Sequence, residues 1–229
     1  MRARLALMHC GAQCELREIL LKDKPAHMLE VSSKGTVPVL LLPMSDTRAK
    51  DTISNSKNGD ENIKTNYRVL DESIDVMRWA MNENPARHLQ NAEQWQCTET
   101  MSIKEINALI EQNDFEFKGH LDRYKYSDRH PEYPQAHYLM QAMPFLEKLE
   151  SILTQSPYLG GNQFRFLDAA ILPFIRQFSM VQPNHFNALA LPNLQHWLAQ
   201  GLVSELFLSI MHKNSLWKKE TTEDLVIFG

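Results

Sequence analysis

The chain has 229 residues, of which 43% are hydrophobic and 23% charged, an ordinary globular balance that excludes a mostly disordered or fibrous protein and leaves room for one or two domains. A net charge of −4 provides no basic field to gather nucleic acid or an anionic membrane. Cys10, Cys14 and Cys97 form an odd set without C-x-x-C spacing, which fits reduced thiols in a cytoplasm and neither a disulfide framework nor a zinc knuckle.

The first predicted element is a helix over Met1–Cys10, rich in Ala, Leu, Met and Arg, with Gly11 where a helix end favours a residue tolerant of positive φ. It opens without an N-cap. The basic flank and short apolar run at this end are interrupted by His9 and carry no evident cleavage site, so they do not read as an export signal. No run of about eighteen apolar residues marks a membrane span. Cys14–Leu21 is expected as a strand, and Pro25 as the start of a short helix through Val31.

A strand is expected over Val37–Leu42, entered through Pro38, which has no N–H to give a ladder. If the Val37–Pro38 bond is cis, the N–H and C=O of Val37 point outward to receive another extended backbone. The plain alternative is an ordinary strand-opening proline, because only about one X–Pro bond in twenty is cis in folded proteins. Residues 43–66 are polar and read as an inserted surface loop, whose length adds little closure entropy. Tyr67–Leu70 resumes a short strand. Asp71-Glu72-Ser73 then opens a helix carrying Ile74, Met77 and Met81 at helical spacing, and Asn84-Pro85 ends it.

From residue 84 onward the pattern is helical. Met101, Ile106, Leu109 and Ile110 lie on one apolar face that continues through Phe117, Leu121 and Tyr124. A polar break at Lys125–Pro131 precedes a helix carrying Leu139, Met143, Leu146, Leu149 and Leu153, and Gly160-Gly161 ends that unit. Phe166–Met180 is nearly all apolar and predicts a core helix, bent at Pro173. Two more helices are expected, one from Leu191-Pro192 around Trp197 and Leu198, and a last one over Leu202–Met211.

The phosphate-cradling, nucleophile-elbow and zinc-protease motifs are missing, and the nine histidines do not cluster at metal-ligand spacing. What remains is the pair of stretches around Pro38 and Ser73. With the helical second half and the run Phe164-Arg165-Phe166-Leu167-Asp168-Ala169-Ala170, they resemble the glutathione transferase family, in its bacterial, omega- and beta-like form. The resemblance spans nearly the whole chain apart from residues 43–66 and the tail.

That resemblance implies an α/β, thioredoxin-like domain over residues 1–83, here without its first strand, followed by an all-α domain over 84–229. It implies glutathione as cosubstrate. The Val37 backbone, held open by a cis Pro38, would pair with the cysteinyl amide. Ser73 at a helix N-terminus would take the γ-glutamyl carboxylate and Glu72 its ammonium, with Lys24 near the glycyl carboxylate. Against these stand plainer roles, Ser73 as a cap and Lys24 as a surface charge. Asp168 matches a structural residue of a capping box whose N-cap position is occupied here by Arg165, so that only half the box can form.

In the family a Cys-Pro-aromatic run, or a Ser or Tyr in place of the Cys, activates the glutathione sulfur ahead of the segment matching Met1–Leu7. The catalytic residue is therefore expected upstream of Met1. Cys10 lies on the order of 13 Å down the first helix, at its C-terminal end, and does not substitute. The expected activity is thiol transfer, or conjugation of glutathione to a small hydrophobic electrophile, in a cytoplasmic homodimer. The alternative is a catalytically inactive binding module on the same fold.

Overall fold

The computed structural model describes residues 1–44, 67–87, 92–96, 98 and 100–217. Most of the expected polar insertion, Cys97 and the residues after Trp217 lie outside the described residues.

Helix α1 (Arg2–His9) buries Ala3, Leu5, Ala6 and Leu7. It stops because Gly11 takes φ 59, which only a residue without a Cβ adopts freely. The Ala12 N–H then reaches Leu7 O at 2.9 Å and the Gly11 N–H reaches Met8 O at 3.2 Å, closing the helix end with the paired bonds of a Schellman motif.

The expected strand at Cys14–Leu21 does not form. From Ala12 to Glu18 exposure alternates residue by residue, as in a strand. The stretch finds only one ladder-like neighbour among the described residues, however. Glu18 bridges Leu216 in parallel, with the Trp217 N–H donating to Glu18 O at 2.8 Å. Past it the chain turns tightly, Asp23 N–H to Leu20 O at 2.9 Å, and Leu20 and Leu21 are exposed. An alternating pattern that meets other backbone only at isolated bridges makes an extended segment and no strand. Helix α2 (Ala26–Val31) follows with Pro25 just ahead of its first turn.

The sheet of the described residues is a ribbon of two antiparallel strands, β1 (Leu40–Pro43) and β2 (Tyr67–Leu70). Leu40 pairs with Leu70, Leu41 with Val69, Leu42 with Arg68 and Pro43 with Tyr67. β1 therefore begins later than the predicted Val37, because Pro38 has no N–H to contribute to a ladder. Helix α3 (Ser73–Asn82) buries Val76, Met77, Ala80 and Met81, steps of three and four that turn one stripe onto α1. Asn84 fastens the ends of these two helices, its side-chain amide donating to Cys10 O at 2.7 Å.

All named elements after Leu70 are helical. α4 (Ala92–Gln96) is short. α5 (Ile103–Glu111) starts at a complete capping box between Ser102 and Glu105, runs through a π-helical turn at Gln112–Phe117 and continues as α6 (Lys118–Lys125). The predicted apolar face follows this whole rod, with Ile106, Leu109, Ile110, Phe117, Leu121 and Tyr124 buried. α7 (Gln135–Leu153) packs against α6.

α8 (Phe166–Ser179) is the core helix expected from its composition, with every residue from Phe166 to Leu172 buried. Asp168 within it is fully buried and accepts three hydrogen bonds. The Arg165 N–H donates to Oδ2 at 3.0 Å, while the Leu159 N–H and Trp197 Nε1 each donate to Oδ1 at 2.8 Å. α9 (Pro183–Ala188) was not expected from the sequence. α10 (Pro192–Val203) starts as predicted. The predicted final helix over Leu202–Met211 is instead the end of α10 and a separate α11 (Glu205–Ile210). The break comes at Ser204, whose extended backbone lets its hydroxyl accept the Phe207 N–H at 3.2 Å and cap the new helix.

Candidate functional site

The antiparallel register of β1 and β2 decides what meets at one end of the ribbon. Val37 and Pro38 come just before Leu40, and Glu72 and Ser73 just after its partner Leu70, so both pairs lie at the same end. The Val37–Pro38 bond is cis. Val37 is 49% exposed, and its backbone N–H and C=O make no hydrogen bond among the described residues.

Across from it stands the start of α3. Glu72 is the N-cap residue, but its side chain makes no capping bond. The first backbone bonds at this helix start belong to the N–H groups of Asp75 and Val76, both to Glu72 O. Among the described residues the amides of Ser73 and Ile74 are thus the open donors of the first turn. Such donors, at the positive end of a helix dipole, favour a carboxylate. The half-buried Ser73 hydroxyl adds a further donor.

The carboxylates beside this helix start are held by a residue that sequence reasoning did not single out. Lys34 Nζ lies 2.6 Å from Glu72 Oε1 and 3.1 Å from Asp71 Oδ1. Asp71 Oδ2 also accepts the Ser32 hydroxyl at 2.9 Å. The hydrogen bond it donates to Glu72, then that to Asp71, raises the Lys34 pKa above its ordinary value. The Ser32 hydroxyl, then Lys34, holds Asp71 below the usual carboxylate range. Lys34 opens the Lys-Gly-Thr-Val-Pro stretch, yet nothing in its neighbours' spacing points at Glu72.

Of the predicted site residues, the fold therefore brings Val37, Pro38, Glu72 and Ser73 together. Lys24 is not brought into contact with them among the described residues. It sits exposed between the Leu20–Asp23 turn and α2. Neither described cysteine is poised as a nucleophile. Burial pushes the Cys10 thiol up to about 12 and the Cys14 thiol up to about 11, far above the range in which a thiolate is populated at neutral pH. No group of three His, Cys, Asp or Glu side chains among the described residues is arranged to hold a metal. No described helix is long and apolar enough to cross a membrane.

Comparison with solved structures gives the same architecture at low sequence identity. A glutathione transferase family member from Pseudomonas fluorescens Pf-5, solved with two glutathione bound, superposes at a TM-score of 0.67 and 16% identity, over 91% of this chain and 86% of that one. A glutathione transferase from Burkholderia graminis, with two glutathione molecules bound per subunit, gives 0.65 at 13% identity, over 91% and 81%. One from Methylococcus capsulatus strain Bath gives 0.62 at 17%, over 92% and 91%. No curated protein sequence matches the chain.

The family models add what fold likeness alone does not. The model of the glutathione S-transferase N-terminal domain matches residues 1–83, and that of the C-terminal domain matches residues 119–200. The small sheet and its helices are accordingly the thioredoxin-like part and the helices after it the all-α part. With both halves matched in family order, the chain belongs to the glutathione S-transferase family.

Proposed function

We propose that this protein binds glutathione and uses it in thiol transfer or in conjugation to a small hydrophobic or disulfide substrate. One observation carries this reading: the Val37 backbone and the helix start at Ser73, both without backbone partners among the described residues, lie at the same end of one ribbon. An extended tripeptide can bond its central amide along Val37 while its γ-glutamyl carboxylate meets the Ser73 hydroxyl and the free amides of α3. Glu72 takes the ammonium at that end, and Lys24 the glycyl carboxylate. The bound glutathione described for the Pseudomonas and Burkholderia relatives supports the same ligand. Residues 1–83 then form the glutathione domain and residues 84–229 the domain that supplies the second-substrate surface. The working form is a cytoplasmic homodimer.

The alternative is a binding module on the same fold, which keeps the tripeptide site and carries out no turnover. Glutathione itself tests the first reading. Millimolar glutathione is expected to raise the unfolding temperature, as any ligand of the native state does. Ser73→Ala is expected to weaken binding by roughly 10- to 100-fold, the loss of a hydrogen bond to a charged group. A thermal curve unmoved by glutathione sinks the proposal. A shift without turnover of either a disulfide or an electrophile favours the module.

A further inference from the structure

Lys34 occupies a position that calls for a role. It stands at the tip of a tight turn anchored by the buried Ser32 and closed by the Gly35 N–H to Ser32 O at 3.1 Å. Gly35 itself sits at φ 58, where a side chain would be strained and its Cβ would come within 3.1 Å of Leu29 Cδ2. The backbone under Lys34 is thus pinned, while its side chain is half exposed and able to change rotamer. The ammonium it carries touches Glu72 and Asp71, the two carboxylates flanking the open helix start.

We propose that Lys34 sets ligand specificity as an internal stand-in for the ligand's amino group, neutralising Glu72 until a ligand bearing its own ammonium displaces it. The proposal rests on the glutathione reading of the site. Its physical basis is that Glu72 Oε1 is already taken at 2.6 Å, so a second cation brought to the same carboxylate meets Coulomb repulsion from the first. A ligand with a free ammonium must move Lys34 aside and gains only the difference between two ion pairs. A ligand whose amino group is blocked leaves Lys34 in place. The resident lysine therefore lowers the penalty for lacking an ammonium, and broadens the site toward N-blocked γ-glutamyl peptides.

The test compares glutathione with N-acetyl-glutathione, by calorimetric titration against the full chain. The quantity read is the dissociation constant of N-acetyl-glutathione divided by that of glutathione, a ratio in which any attraction of Lys34 for the ligand carboxylates cancels. Lys34→Met keeps the stem and removes the charge, and is expected to raise that ratio about two- to fivefold, the size of an exposed ion pair. Lys34→Arg keeps a cation and is expected to hold the ratio at its wild-type value. A purely structural role would shift both dissociation constants together and leave the ratio alone. An unchanged or smaller ratio in Lys34→Met overturns the proposal while leaving the glutathione site intact. Failure of the wild type to bind either ligand instead overturns the glutathione reading, and this proposal with it.

Discussion

Asp168 is one carboxylate tying two helices and the loop between α7 and α8. It ties the start of α8 to the Leu159 amide and to the indole of Trp197 on α10. Removing it leaves two buried donors, the Leu159 N–H and Trp197 Nε1, without a partner, so Asp168→Ala is expected to cost on the order of 2–4 kcal/mol in urea unfolding. Desolvation is the largest influence on its carboxyl and lifts it from 3.8 to about 6, against the pull of the Leu159, Arg165 and Trp197 donors. A folded pKa above the unfolded one contributes stability that is full below pH 3.8 and is lost as the pH rises through 6. The stability gap between wild type and Asp168→Ala should therefore narrow by on the order of 2–3 kcal/mol between pH 4 and pH 7. A gap that widens over this interval contradicts burial as the dominant influence.

Among the elements, α10 shows how a helix start can be legible while its cap is not. Leu191-Pro192 announces the start locally, since proline is suited to the first turn. No neighbouring side chain caps it. The cap comes from α7, where Glu150 accepts from the Asn193 N–H at 3.2 Å, the Asn193 side-chain amide at 2.7 Å and the Leu194 N–H at 2.7 Å. Glu150→Ala is expected to destabilise by about 1–2 kcal/mol, a cap combined with a charge at the helix dipole. Glu150→Gln should recover part of that in thermal unfolding, because an amide oxygen still accepts.

Local periodicity fixed the buried stripes of α3, α5, α6 and α8, since those depend on residues three and four apart. It failed where the deciding partner is distant or the signal is a single residue. The alternating Ala12–Glu18 stretch finds no ladder among the described residues, Ser204 splits one predicted helix into two, and Lys34 meets Glu72 only after β1 and β2 pair. Val37 and Ser73 could be singled out as candidates because each carries a local backbone signature, a proline beside one and a helix start at the other, and β1–β2 pairing brings them to one end of the ribbon.

At the scale of the molecule, α1 is the element on which the two halves meet. His9 stacks on Trp95 of α4 with ring centroids 4.2 Å apart, and Trp95 in turn meets the edge of Phe166 on α8. The stronger tie is Arg2, only 5% exposed. Its guanidinium grips Asp114 of the π-helical turn through two hydrogen bonds, at 2.6 and 2.9 Å, donates from Nε to Ala170 O at 2.8 Å, and lies over the Phe174 ring. A bidentate pair of this kind demands one arrangement of α1 against α5–α6 and α8. Its value appears when only one partner is removed. Asp114→Ala leaves the buried Arg2 cation without its anionic partner, with Ala170 O still accepting from it, and is expected to cost about 3 kcal/mol. Arg2→Met with Asp114→Ala removes both charges and keeps apolar bulk over Phe174, so the double variant should be more stable than Asp114→Ala alone. A coupling near zero in that double-mutant cycle, measured by denaturant unfolding, would show that the helices are held by apolar packing with the ion pair as a bystander.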